Sequence, residues 1–155
     1  MSHEVEVNIS QIEEYLQKML LIAKKMRTIM FDTAQSLQNE DEIEFENNII
    51  ARDIEIEKYD LVKISYENLL NELELKFKKT EFEILKKYEL QNYKDQIKDI
   101  FELILEKDRE HIQIAEKLIK SSKNEIKKMK VSKRATSSYY GVNDYSSGGR
   151  FDNKR

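Results

Sequence analysis

Asp108 and His111 are the two residues whose types and spacing come closest to those of a catalytic pair. They stand three positions apart within residues 96–130, a run without proline or glycine, so a helix would place them on the same face. A buried carboxylate beside an imidazole can carry out acid–base chemistry. Because the only other histidine is His3, no second base is in evidence, and we interpret Asp108 as a polar residue that fixes register on an apolar face. We expect Asp108→Asn to change stability only modestly.

Other residue patterns that support catalysis or metal binding are missing from the sequence. The chain has no cysteine, which excludes disulfides and thiolate metal sites. It also has no Glu-x-x-His pair of the kind that carboxylate sites in four-helix bundles use, and no glycine-rich phosphate loop. We therefore predict a protein that is not an enzyme and that binds no metal or cofactor.

The composition predicts an all-α fold. Among the 155 residues there is no proline, 37% are charged, and residues 1–140 contain no glycine. Lysine, glutamate, isoleucine and leucine are abundant, as in long amphipathic helices, and the length suits a single domain. No signal peptide is evident and the apolar runs are too short to cross a membrane, so we expect a cytoplasmic protein without membrane insertion.

Hydrophobic periodicity places three helices at about residues 8–38, 40–88 and 93–130, which would form an elongated antiparallel bundle or coiled coil over residues 1–134. The first helix is expected to begin near Asn8 or Ser10, where Ser10 and Glu13 fit a capping box. Its apolar positions keep a spacing of three and four: Ile9, Ile12, Leu16, Met19, Ala23, Met26, Met30, Thr33 and Leu37.

The second helix is predicted to begin at an Asn39 cap, with Glu42 three positions later. Its apolar positions drift around the helix, so it either supercoils without interruption or breaks near residues 68–71, which would give a four-helix bundle. The early apolar set is Ile43, Ile50, Ile54, Leu61 and Ile64, and the later set is Val62, Tyr66, Leu69, Leu73, Phe77 and Ile84. Uninterrupted to residue 88, this helix would extend beyond the first.

The third helix carries two apolar seams side by side, and such a helix needs two neighbours to cover it. A weak turn over residues 86–92 is expected to precede it. We expect the chain to supply only part of the cover, which leaves a surface for the helix of a partner protein. The residues predicted to form that surface are Ile100, Ile104, Ile114 and Leu118.

Positive charge is concentrated towards the C-terminal end. Residues 117–155 hold eleven Lys or Arg and three acidic residues, while residues 1–116 carry a net charge of −11. The basic stretch 117–134 has no interleaved aromatic residues, so we interpret it as a helix end whose lysines complement the helix dipole, and we predict no nucleic-acid binding. A dock for an acidic partner protein is the alternative.

Residues 135–155 show no periodicity, and we predict that they form a disordered, flexible tail. Four aromatic side chains in this tail would gain from burial, and tyrosine is a preferred anchor at interfaces. They are Tyr139, Tyr140, Tyr145 and Phe151. A partner protein or the bundle itself could bury them, and we favour the partner.

Several of these features occur together in one known family. They are Leu-Glu-Lys-Asp-Arg-Glu at 105–110, followed by a lysine-rich helix end, then Tyr-Gly at 140–141 and Phe-Asp-Asn-Lys at 151–154. In these features the chain resembles the bacterial flagellar export chaperones of the FlgN and FliT types found in Gram-positive species. Residues 39–60, with their Ala-Arg-Asp and Lys-Tyr-Asp triplets, are similar to the second helix of those proteins. The length favours the FlgN type, and the second helix fits the FliT type equally well.

The resemblance implies a cytoplasmic, all-helical chaperone that binds the C-terminal helical region of a late axial protein, either a hook–filament junction protein or the filament cap. It also implies that the chaperone keeps this client monomeric and delivers it to the export apparatus at the membrane. We expect a monomer or weak homodimer. A structural coiled-coil homo-oligomer and a regulatory adaptor protein are the alternatives.

Overall fold

The computed structural model describes residues 3–121, which form four helices. They are α1 (His3–Gln38), α2 (Glu42–Phe77), α3 (Glu81–Lys87) and α4 (Gln91–Ser121). The main chain runs up α1, down α2 and up again along α4, while the short α3 connects the last two. The predicted all-α, elongated helical bundle is confirmed, and the described residues contain no strand.

Helix α1 is the central helix of the bundle, because both α2 and α4 pack along it. Eight of the nine predicted seam positions are buried, and the ninth, Ile9, packs partly buried against the core. The helix begins earlier than predicted, at His3, so Ser10 lies within it and does not cap it. Burial of Val5 gives the extra first turn a contact with the rest of the bundle.

The turn between α1 and α2 lies where the polar residues 38–42 predicted a break. Glu40 adopts a left-handed conformation with φ 52°, and the amide of Asp41 donates to the carbonyl of Ser36 at 2.9 Å, which closes the end of α1. The side chain of Asp41 then accepts from the amide of Glu44 and caps α2. The cap is therefore two residues later than the predicted Asn39.

Helix α2 ends at Phe77, so neither an uninterrupted helix to residue 88 nor a break at residues 68–71 is correct. Lys78 has φ 55° and its amide donates to the carbonyl of Glu74, which terminates the helix. Thr80 and Glu83 then form a capping box that starts α3. Both α1 and α2 have 36 residues and are about 54 Å long at 1.5 Å per residue. Helix α2 is therefore no longer than α1, contrary to the prediction.

Helix α3 closes one end of the core and leads into α4. Its Ile84 and Leu85 are 2% and 0% exposed. Glu89, with φ 59°, ends the short helix, and the amide of Leu90 donates to the carbonyl of Leu85 at 2.8 Å. The turn expected over residues 86–92 is confirmed, and α4 begins at Gln91.

Helices α2 and α4 meet through long side chains, not through their main chains. Within residues 3–121 no Cα atom of α2 lies within 8 Å of a Cα atom of α4. The rings of Tyr59 on α2 and Phe101 on α4 bridge this gap edge to face, with centroids 5.0 Å apart. The helix that two full-length neighbours cover is therefore α1, whereas the sequence analysis assigned that position to residues 96–130.

Candidate helix-docking surface and buried polar cluster

The predicted client surface on α4 is not open along most of its length. Ile100 is 5% exposed and Ile104 is 0% exposed, and both belong to the main core cluster. The expectation that these two residues form a free surface is wrong for this bundle, because α4 turns that seam inward against α1. Ile114 is 40% exposed, and Leu118 is partly buried beside a second small apolar cluster. Only the last part of the predicted surface reaches solvent.

The other predicted partner-binding residues lie outside the described part of the chain. They are Tyr139, Tyr140, Tyr145 and Phe151. The same holds for most of the basic stretch 117–134. Their assignment as anchors for a partner stays a prediction.

Arg52 on α2 and Asp108 on α4 form a bidentate ion pair inside the bundle. Nη1 of Arg52 donates to Oδ1 of Asp108 at 2.7 Å, and Nη2 donates to Oδ2. The two side chains are only 4% and 3% exposed, so the pair is fully desolvated. The expected burial of Asp108 on the apolar face is confirmed. The arginine was missed, although a spacing of three and four from Phe45 through Ile56 places it on the inner face.

His111 lies beside this pair and is 9% exposed. Burial, the largest cause, lowers the pKa of its imidazole below the ordinary value of 6.5, and Arg52 acts in the same direction while Asp108 opposes it. Both carboxylate oxygens of Asp108 already accept hydrogen bonds from Arg52. The geometry therefore suits a structural link between α2 and α4 better than an acid–base pair. In residues 3–121 no group of three or more potential ligand side chains could hold a metal ion.

A cleft of ≈ 350 Å³ lies where α2, α3 and α4 meet at the other end of the bundle. Its charged side chains already contact one another: Lys94 lies 3.6 Å from Glu81, and its Nζ stands 5.6 Å from the centre of the Tyr66 ring. The hydroxyl of Tyr66 also donates to Glu81 at 3.0 Å. Because charged groups that pair with each other line this cleft, it offers little apolar surface to a helix.

Within residues 3–121, a line of exposed aliphatic side chains runs along the outside of α2, and we call it the outer stripe. It consists of Ile43, Ile50, Ile54, Leu61 and Ile64, which are 75%, 58%, 49%, 69% and 55% exposed. These residues are the early apolar set that was predicted to pack in the second helix, and the structure turns them to solvent instead. Two positions along a helix rotate a side chain by about 200°, so Ile54 and the buried Ile56 lie on opposite faces.

The outer stripe has the geometry of a helix-docking surface. Its residues recur at intervals of seven, four, seven and three, which is the spacing of one coiled-coil seam. From Ile43 to Ile64 the stripe is about 32 Å long at 1.5 Å per residue. A line of large exposed apolar side chains of this length usually marks an interaction site.

Comparison with known proteins found no matching family model, no matching curated protein and no matching solved structure. None of the helices over residues 3–121 has the length and apolar character needed to cross a membrane.

Proposed function

We propose that this protein is a cytoplasmic export chaperone of the flagellar type, which binds an amphipathic helix of a late axial protein along the outer stripe of α2. The observation that supports this most strongly is the exposure of five large aliphatic residues on one line of one helix. An apolar seam without a partner is suited to accept the apolar face of another helix.

The chaperone part of the proposal rests on what the client would need. Axial proteins polymerise through amphipathic terminal helices, so a chaperone must cover that apolar face until export. Helix α2 is suited to this because its inner face already packs on α1, through residues such as Ile56 and Tyr59, and holds it in place. A rigid helix presents the outer stripe at little conformational cost on binding.

Two features identified from the sequence complete the proposal. Ile114 and Leu118 would extend the client contact at the end of α4. The aromatic residues of the segment 135–155 would dock the loaded chaperone on the export apparatus. Deleting 135–155 is then expected to leave client binding and thermal stability largely unchanged while export of the client falls.

The competing function is a structural coiled-coil protein, because the spacing of the outer stripe would also suit a second copy of the chain. In that case the protein would be a tight homo-oligomer. Sedimentation equilibrium separates the two: the chaperone is expected to be a monomer or weak dimer that forms a stable complex with its client.

Secretion of axial proteins tests the proposed function in cells. A strain that lacks this gene should release less junction or cap protein into the medium, and the wild-type gene should restore release. The double variant Ile54→Ser, Leu61→Ser should fail to restore it, whereas Leu21→Ser, which changes a similarly exposed aliphatic residue on α1, should succeed. Normal secretion in the deletion strain would contradict the proposal.

A further inference from the structure

We infer that the outer stripe selects a cationic partner: an amphipathic helix with one apolar seam, basic residues along one side of it, and a lysine or arginine near its middle. This inference rests on the proposed function and adds the chemistry of the helix that binds. It also disfavours an antiparallel second copy of this chain as the occupant of the stripe.

The charge distribution of α2 carries the inference. Between residues 42 and 68 the helix has eight acidic and three basic residues. Two of the three basic residues, Arg52 and Lys63, are buried on the inner face, which leaves Lys58 as the basic residue on the exposed part of this stretch. Apart from the buried Glu55, the acids lie outside the core, so the aliphatic line on the solvent side of α2 has negative charge beside it.

Glu57 interrupts the outer stripe near its centre. It occupies the seam position between Ile54 and Leu61, three or four residues from each, and it is exposed. A helix that covers the stripe must bring a side chain against this carboxylate. An apolar residue there would desolvate the charge without a partner, whereas a lysine or arginine would pair with it.

A row of acids borders the stripe along one side. Its members follow at intervals of seven: Glu46, Asp53, Asp60 and Glu67. In an antiparallel pair of identical helices this row would lie against its own copy, so like charges would meet at every step. Antiparallel self-association through the stripe is therefore disfavoured, while a helix with a basic flank against this row gains attraction along its length.

Two synthetic helices of about 22 residues, long enough to cover the stripe, probe this selectivity. Both carry leucine at one seam with a spacing of three and four; one has lysine at the seam centre and flanks, and the other has glutamate there. Fluorescence anisotropy of the labelled peptides with the full-length chain gives each affinity. We expect the lysine peptide to bind at least about tenfold more tightly, and this preference to shrink as salt rises from about 50 to about 300 mM.

Variants of the chain locate the contact. Glu57→Lys should weaken binding of the lysine peptide and strengthen that of the glutamate peptide, a reversal that loss of folding cannot produce. Glu102→Lys, which changes an exposed acid on α4, is the control and should leave the ranking unchanged. Ile54→Ser with Leu61→Ser should weaken both peptides, which places the contact on the outer stripe.

The outcomes separate this inference from the proposed function. Equal affinity for the two peptides would overturn the charge selection and leave helix docking in place. If neither peptide binds, the stripe is not a helix-docking surface, and both proposals lose their basis. The unliganded chain could also dimerise, and the Ile54→Ser, Leu61→Ser variant could abolish that dimer. This result would show that a second copy occupies the stripe, and it would overturn the inference.

A last control concerns the basic C-terminal part of the same chain. A spin label attached through Ser146→Cys should leave the methyl signals of Ile50 and Ile54 unbroadened in the monomer. Broadening confined to those signals would show that the chain covers its own outer stripe, and would overturn the assignment of an external partner.

Discussion

The two faces of α2 depart from the usual pattern at several positions. The inner face buries charged side chains, Arg52 at 3% and Lys63 at 8% exposure, while the outer face exposes Ile43 at 75%. Hydrophobicity alone therefore does not decide which residues of this helix are buried. Which face of α2 turns inward is therefore decided by the neighbouring helices that each face would meet.

The reason lies in the distance that the inner face has to span. Because the main chains of α2 and α4 stand apart, only long side chains on α2 reach α4. Arg52, Tyr59 and Tyr66 have that reach, and they meet an aspartate, a phenylalanine and the Lys94 ammonium group. A short, β-branched isoleucine in their place would leave a void. Within residues 3–121 no other element packs on the outer face, so it has no such gap to span.

Breaking the buried ion pair should give the largest effect on the inner face. Asp108→Asn removes the carboxylate that pairs with the buried Arg52 guanidinium, so we expect a loss of about 3–5 kcal/mol in the free energy of unfolding. This revises the modest effect expected before Arg52 was known to be the partner. Urea denaturation followed by circular dichroism measures it.

The double variant Arg52→Met, Asp108→Leu is the matched control for that loss. Replacing a buried pair by apolar residues of similar size is often neutral or stabilising, so its stability should lie within about 1 kcal/mol of the wild type or above it. A double variant as unstable as Asp108→Asn would show that the site needs more than charge balance.

Two isoleucines on the same helix test the contrast between the faces directly. Ile56 is 2% exposed and Ile54 is 49% exposed. Ile56→Ala removes core contacts and should cost about 2–4 kcal/mol, whereas Ile54→Ala should change stability by less than about 0.5 kcal/mol. Equal losses in urea denaturation would mean that the outer stripe is covered within the folded protein.

The pH dependence of stability sharpens the account of the inner face. Because burial lowers the pKa of His111 in the folded state, the unfolded chain binds the proton more readily below pH 6.5. The contribution of the neutral imidazole is complete above that pH and is lost as pH falls towards the lower, folded-state pKa. We expect stability to decrease over that window, and His111→Gln to reduce the decrease. If His111→Gln shows the same dependence of stability on pH as the wild type, groups other than His111 cause the decrease.

The smallest effect is expected at the end of α2. Lys78 is a non-glycine residue at φ 55°, a conformation that costs an L-residue about 1–2 kcal/mol. Lys78→Gly should therefore raise stability by about 0.5 kcal/mol, after part of the gain is offset by the freedom of glycine in the unfolded chain. Glu72→Gly, within the exposed helix, should lower it by about 0.5–1 kcal/mol. Thermal melts of the two variants should move in opposite directions.

Local patterns in the sequence were sufficient for the helical fold and for α1. The spacing from Ile9 to Leu37 predicted the buried face of α1 correctly, since that helix is apolar on the side where both neighbours pack. The turns were harder, because no glycine or proline marks them and Glu40, Lys78 and Glu89 take the left-handed conformation instead. Thr80 and Glu83 have the sequence pattern of a capping box, which marks the start of α3 and therefore the end of α2 before it. The prediction of a helix to residue 88 overlooked this pattern.

What the sequence by itself determined is the all-α class, the seam of α1, and the buried position of Asp108. Only the tertiary structure decided which face of α2 points inward and that Arg52 meets Asp108, a residue 56 positions away. Helical periodicity shows where the apolar lines of α2 lie, and it fits the outer stripe at least as well as the inner face, which mixes aromatic, aliphatic and charged residues. The choice between them depends on the width of the gap to α4, which no local pattern encodes.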